Sequence, residues 1–182
     1  MYKKAFMSRL FDSDGFEAKQ SINKFVQYID EIKPDLIHIH NLHGYFLNIE
    51  ILFQYLKKSK IPVVWTLYDC GSFTGHCTYF DYVGCNKWII VCHNCSEKKE
   101  YLSSILIDNS KNNFFKKKEL FNGINNLTLV TPSTWLSDLV KRSFLSDHSL
   151  KIINNGINVS VFRPLVIINI RQKYDFSSKI FF

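Results

Sequence analysis

The sequence predicts an α/β fold: a parallel sheet flanked by helices, with an irregular cysteine-rich insert. Short β-branched runs alternate with stretches of helical periodicity, polar residues follow each run, and all five cysteines fall within about residues 69–104. Strands that alternate with helices need crossover connections and therefore pair in parallel.

Ala18, Ile22, Phe25, Val26, Ile29 and Ile32 recur at helical spacing between Lys, Gln and Asp, which predicts an amphipathic helix ending near Lys33-Pro34. Leu36 to His40 is short and mostly apolar, bounded by Pro-Asp and Asn41, and reads as a buried strand. Leu47, Ile51, Leu52, Tyr55 and Leu56 give a second helical pattern. Ile61 to Leu67 is the best strand, with Pro62 near its start where a ladder hydrogen bond is least missed. Leu127 to Val130 and Lys151 to Ile153 read as two more strands. Between them Ser133 can cap a helix carrying Leu136, Leu139, Val140 and Phe144. The stretch from Asp69 to Ser104 is too long for an ordinary connection, and such loops are functional or held by something other than a hydrophobic core.

Composition narrows the class of protein. With 182 residues, 46% hydrophobic, the chain can bury a core, and the abundance of aromatic residues argues against disorder. Its first ten residues carry charge but lead into no apolar signal-peptide core, and no window approaches the ~20 apolar residues of a spanning helix. The expectation is a cytoplasmic protein. A net charge of +7, concentrated at Lys57, Lys58, Lys60, Lys98, Lys99, Lys111 and Lys116 to Lys118, fits solvated helix faces. It also fits attraction to an anionic membrane surface, a phosphate-bearing substrate or nucleic acid.

Ligands of open parallel sheets bind beyond the carboxyl ends of the strands. Those positions are polar here: His40, Asn41 and His43 after the first strand, Tyr68 and Asp69 after the second, Thr131 and Ser133 after the third, Asn154, Asn155 and Gly156 after the fourth. Hydroxyls, amides and imidazoles on one edge suit a sugar, whose hydroxyls need convergent donors and acceptors. Asn, Ser, Gly and Asp are also favoured in turns and caps for local reasons, so Ser133, Asn154, Gly156 and Asp69 fit either role. His40 and His43 have no such local reason, while His38, inside the strand, reads as a hydrogen-bonded core residue.

Cys77, Cys85, Cys92 and Cys95 could hold one tetrahedral, structural zinc and so fold a segment with little core of its own. Small buried hydrophobes are the competing reading of the same residues, with redox or iron-sulfur chemistry a third.

Several ordered motifs carry a resemblance. They are Lys33-Pro34-Asp35-Leu36-Ile37-His38-Ile39-His40-Asn41-Leu42-His43-Gly44-Tyr45, Trp65-Thr66-Leu67-Tyr68-Asp69-Cys70, Phe73-Thr74-Gly75-His76-Cys77, Thr131-Pro132-Ser133-Thr134-Trp135-Leu136, Asn155-Gly156-Ile157-Asn158 and Phe162-Arg163-Pro164. Together they resemble family 4 glycosyltransferases, in particular the cysteine-containing bacterial group of colanic-acid-type exopolysaccharide and lipopolysaccharide synthesis. The resemblance implies a GT-B fold, with two Rossmann-like domains across a cleft, the first binding the acceptor and the second the nucleotide-sugar donor. It implies glycosyl transfer to a lipid-linked or polysaccharide acceptor with retention at the anomeric carbon, no catalytic metal, and a place at the inner face of the cell membrane.

On that resemblance residues 1–164 correspond to a partial acceptor domain and 165–182 to the linker and first residues of a donor domain. The family's opening strand and Gly-rich loop, its diphosphate-gripping basic residues and its glutamate pair have no counterpart in this sequence. The expectation is thus a chain truncated at both ends and inactive alone, unless a separate donor-domain chain completes it. Tyr68-Asp69 occupies the family's catalytic His-Asp position, and a phenol does not titrate near neutrality as imidazole does. His40, Asn41, His43, Ser133, Asn155 and Gly156 are the candidate substrate-binding residues. The alternative function is a zinc-containing basic module for an anionic membrane or nucleic acid, nucleic acid being the weaker form because no recognition helix or stacking motif accompanies the charge.

Overall fold

Polar caps and a proline divide the chain where the periodicity changes. The computed structural model describes residues 2–16, 18–43, 47–101 and 103–163. The expected donor-domain start at 165–182, and Gly44, Tyr45 and Pro164 of the quoted motifs, lie outside the described residues. Helix α1 (Tyr2–Phe11) is followed by α2 (Lys19–Ile32), β1 (Ile37–Ile39), α3 (Ile49–Lys58) and β2 (Val63–Thr66). After a long excursion containing a 3-10 turn at Lys87–Ile89 come α4 (Ser110–Phe121), β3 (Leu127–Thr131), α5 (Thr134–Arg142) and β4 (Ser149–Ile152).

Local chemistry sets these boundaries. Lys33 takes the left-handed conformation (φ 46°) and its N–H donates to the Ile29 carbonyl, closing α2 just before Pro34 forbids another turn. Asn48 is fully buried, and its side-chain oxygen accepts the Ile51 N–H at 3.0 Å to cap α3. Its amide also donates to the Phe16 carbonyl, so one side chain joins the segment after α1 to the start of α3. Ser133 caps α5 through the Leu136 N–H at 3.2 Å, as expected from sequence.

All four strands are parallel, in the order β1-β2-β3-β4. The predicted α/β class with a Rossmann-like parallel sheet is the one observed. Ile39 pairs with Trp65 and Trp65 with Leu129, which places three buried apolar residues in one row across the sheet. Against that row pack Phe53 of α3 and Phe121 of α4, with ring centroids 5.2 Å (Phe53–Trp65), 4.4 Å (Phe53–Phe121) and 4.9 Å (Trp65–Phe121) apart. Truncating one such buried ring to Ala costs about 3–5 kcal/mol. The Trp65 indole N–H donates to the His40 carbonyl at 3.0 Å, which ties the ends of β1 and β2 together where the polar residues begin.

Three expectations need correction. His38 is exposed rather than a core residue: β1 is an edge strand, and His38 alternates with buried Ile39. It is still hydrogen-bonded, its Nε2 lying 2.9 Å from the Thr66 hydroxyl. The insert has a core of its own, in which Phe73, Phe80 and Trp88 are buried with centroids 5.3 Å (Phe73–Trp88) and 5.0 Å (Phe80–Trp88) apart, alongside buried Cys70, Cys77 and Cys92. Phe144 lies beyond the end of α5 and packs against Phe114 of α4 at 5.2 Å.

Candidate functional site

The carboxyl ends of β1 and β2, the first turns of the insert and one face of α4 enclose a pocket. His40, Asn41, His43, Tyr68 and Asp69 all line it, so five of the strand-end candidates lie on one pocket. The His40 and Tyr68 rings stack at 6.0 Å with 16° between their planes, and His38 lies 4.2 Å behind His40. Tyr68 is half exposed, an open aromatic surface of the kind that pairs with the C–H face of a sugar ring.

His43 and Asp69 form the second feature. The His43 Nε2 lies 2.8 Å from Asp69 Oδ2, while Asp69 Oδ1 accepts the Gly71 N–H at 2.7 Å. On the other side of the ring, His43 Nδ1 is 3.2 Å from the Tyr101 hydroxyl. With Nε2–H donating to the carboxylate, Nδ1 accepts from Tyr101, and one tautomer satisfies both contacts.

The remaining wall comes from α4 and the insert. Lys117 donates to the carbonyls of Gly71 (2.8 Å) and Thr74 (3.1 Å), which fixes the turn after Asp69 onto the helix. Burial pulls its pKa below the ordinary lysine value, against the opposing pull of Asp14, Asp12 and Asp69. Deeper still, His76 Nδ1 sits 2.5 Å from Asp12 Oδ1, both side chains almost wholly buried. Burial lowers the His76 pKa, but the hydrogen bond and negative charge of Asp12 more than offset it, leaving a net upward shift. Asp12 also accepts the Asn109 N–H (2.8 Å), and its carbonyl accepts from the Asn113 amide (2.7 Å).

Ser133, Asn155 and Gly156 are not brought to this pocket. Ser133 is engaged as the α5 cap, and Asn155 and Gly156 are exposed beyond β4. Sequence reading missed Asp12, Ser72 and Asn113, all close to or on the pocket wall, named Lys117 only within a charge run, and carried His76 only within the Phe73–Cys77 motif. The available signal was in α4. Its inward positions 110, 113, 114, 117 and 121 keep helical spacing, but three of them are Ser110, Asn113 and Lys117, so an apolar stripe is not visible.

The cysteines are all free thiols. Cys77 shares a hydrogen bond with Cys95, which raises the pKa of Cys77 and lowers that of Cys95. Burial pushes the Cys70 thiol up to about 12 and that of Cys92 to about 11. Among the described residues no group of three or more His, Cys, Asp or Glu is arranged to hold a metal ion. No helix among them is long and apolar enough to cross a membrane.

Fold and site together define an α/β domain with a polar, partly aromatic pocket at the carboxyl edge of its sheet. The chain is similar to a protein of Escherichia coli strain K12 named "Putative colanic acid biosynthesis glycosyl transferase WcaC", with 31% identity over 160 residues. That match covers 84% of this chain and 38% of the relative, so the chain spans well under half of that protein's length. No family model and no solved structure matches.

Proposed function

We propose that this chain is the acceptor-binding domain of a family 4, GT-B-type glycosyltransferase of polysaccharide synthesis. The observation that carries the proposal is the convergence of His40, Tyr68 and the His43–Asp69 pair on one pocket at the carboxyl edge of a parallel sheet. The similarity to a protein named as a glycosyl transferase of colanic acid biosynthesis supports the same reading. In this role the acceptor sugar stacks on Tyr68 and its hydroxyls bond to His40, Asn41, His43 and Asp69. The nucleotide-sugar donor is then held by a second domain across the cleft, and the acceptor is lipid-linked or a growing polysaccharide at the inner face of the membrane.

Tyr68 stands where the resemblance places a catalytic histidine. A phenol there can donate a hydrogen bond to the reacting sugar through its hydroxyl, and its part is to orient that sugar. We also propose a structural zinc for the insert on the set Cys77, Cys85, Cys92 and Cys95 that the sequence offers; these four are not arranged as a metal site in this structure and would have to draw together around the Cys77–Cys95 contact to bind one. Such a metal would hold thiolates together and take no part in transfer.

The test is titration of the isotope-labelled chain with methyl glycosides of glucose and galactose, followed by backbone and ring resonances. Saturable shifts centred on His40, Tyr68 and Asp69, weakened about tenfold by His43→Ala, are expected. Shifts confined to residues outside the pocket, or none in the accessible concentration range, would reject the acceptor-site assignment.

A further inference from the structure

His76 lines the ligand pocket, and much of the fold serves to place its ring. Asp12 takes it at Nδ1 from a left-handed position (φ 51°), and is itself held by the backbone of Asn109 and the side chain of Asn113. Gly75, just before it, fits against α4 only because it lacks a side chain: a Cβ there would sit 2.0 Å from the Ser110 carbonyl oxygen. Three separate segments therefore meet to fix one imidazole, which lines the pocket with a side chain only 2% exposed.

The other ring nitrogen is left over. His76 Nε2 is buried and has no hydrogen-bond partner among the described residues, and neither has the Ser72 hydroxyl oxygen on the same pocket. A buried polar atom without a partner costs about 1–3 kcal/mol, so a purely structural histidine is expected to have both nitrogens occupied. We propose that His76 is a ligand-binding residue, its Nε2 held by Asp12 to receive a hydroxyl of the carbohydrate acceptor, with Ser72 as a second contact. The proposal rests on the acceptor-site reading and names the residues at its floor.

The choice of a hydroxyl over a phosphoryl oxygen follows from the neighbours. Asp14 and Asp69 line the same pocket, where the Lys117 ammonium is committed to the Gly71 and Thr74 carbonyls, and the two carboxylates oppose a further anion. A hydroxyl both donates and accepts. With Nδ1–H committed to Asp12, neutral His76 accepts from it at Nε2, and the protonated ring donates to it through Nε2–H, so the contact survives either charge state.

The experiment uses the full chain carrying 15N-labelled histidine, titrated with the same methyl glycosides and, separately, with inorganic phosphate, while the ring nitrogens are followed. A saturable shift of His76 Nε2 with a glycoside but not with phosphate is expected. His76→Gln should weaken glycoside binding about tenfold, and Asp12→Asn, which leaves the ring in place but frees its tautomer, should weaken it by less. Shifts at His40 and His43 with His76 unmoved would overturn the proposal while leaving the acceptor site standing. No shift at any pocket histidine would remove both. If phosphate alone moves His76, the hydroxyl assignment is wrong. A fall in melting temperature for His76→Gln with unchanged glycoside affinity would make the residue structural only.

Discussion

The His43 imidazole and the Asp69 carboxylate, 26 residues apart, meet at 2.8 Å across the mouth of the pocket. They join the loop that leaves β1 to the one that leaves β2, and both side chains are largely shielded from solvent (17% and 14% exposed). A partly buried charge-assisted contact of this kind is stronger than a surface ion pair. Asp69→Asn keeps the shape and can still accept from Gly71, but exchanges the carboxylate for an amide. We expect it to weaken glycoside binding about tenfold with a melting temperature within a few degrees of the parent, measured by titration and calorimetry.

The buried His76 and the half-buried His148 should give the stability curve opposite slopes. His76 has a raised pKa, so its contribution is fully present below the unfolded value of about 6.5 and is lost as pH rises through the higher folded value. His148 is lowered, mainly by burial, and its contribution is present above about 6.5 and lost as pH falls through the lower folded value. Urea unfolding across that range should show Asp12→Asn flattening the alkaline side and His148→Gln flattening the acid side. Unchanged slopes in both variants would assign the pH dependence to other groups.

Thiol chemistry should rank the cysteines. The hydrogen bond with Cys77 lowers the Cys95 pKa, and Cys95 is only half-buried, so it reacts first with iodoacetamide at neutral pH. Cys70, Cys77 and Cys92, all buried and all raised, react after it. Peptide mapping by mass spectrometry gives the order. Added zinc is expected to protect Cys77, Cys85, Cys92 and Cys95 together and leave Cys70 unchanged; protection of no cysteine would end the zinc proposal.

Two glycines offer a controlled comparison. Gly75→Ala forces a methyl group to within 2.0 Å of backbone, and neither side of the contact is a flexible side chain. We expect a loss of about 3 kcal/mol or more, at the upper end of overpacking penalties. Gly84 has φ +59° but open space around it, so Gly84→Ala should cost only about 1 kcal/mol of backbone strain. Denaturant midpoints measure both.

The sheet was legible because its signals are local. Val63 to Thr66 and Leu127 to Thr131 are β-branched and apolar, and Ser133 caps the only helix between β3 and β4. His40, Asn41, His43, Tyr68 and Asp69 were legible because strand ends in parallel sheets mark the ligand side. His38 was misjudged because the sequence does not reveal which strand lies at the edge. The floor of the pocket was hidden for a different reason. Ser110, Asn113 and Lys117 break the apolar stripe of α4 because that face serves a polar pocket, and the same choice that builds the site obscures the helix. No spacing rule pairs Asp12 with His76, which are 64 residues apart.

Those long separations also bear on how the domain assembles. Asp12 is joined to His76, Asn109 and Asn113 across 64, 97 and 101 residues, so each contact closes a large loop whose entropy must be offset before it forms. Non-local contacts of this kind belong to the slow part of folding. The pocket floor therefore cannot form as a local hairpin or helix pair would; it exists only once the segment after α1, the insert and α4 have all docked. A ligand held there selects for the fully assembled domain, and its binding energy adds to global stability instead of to one loop.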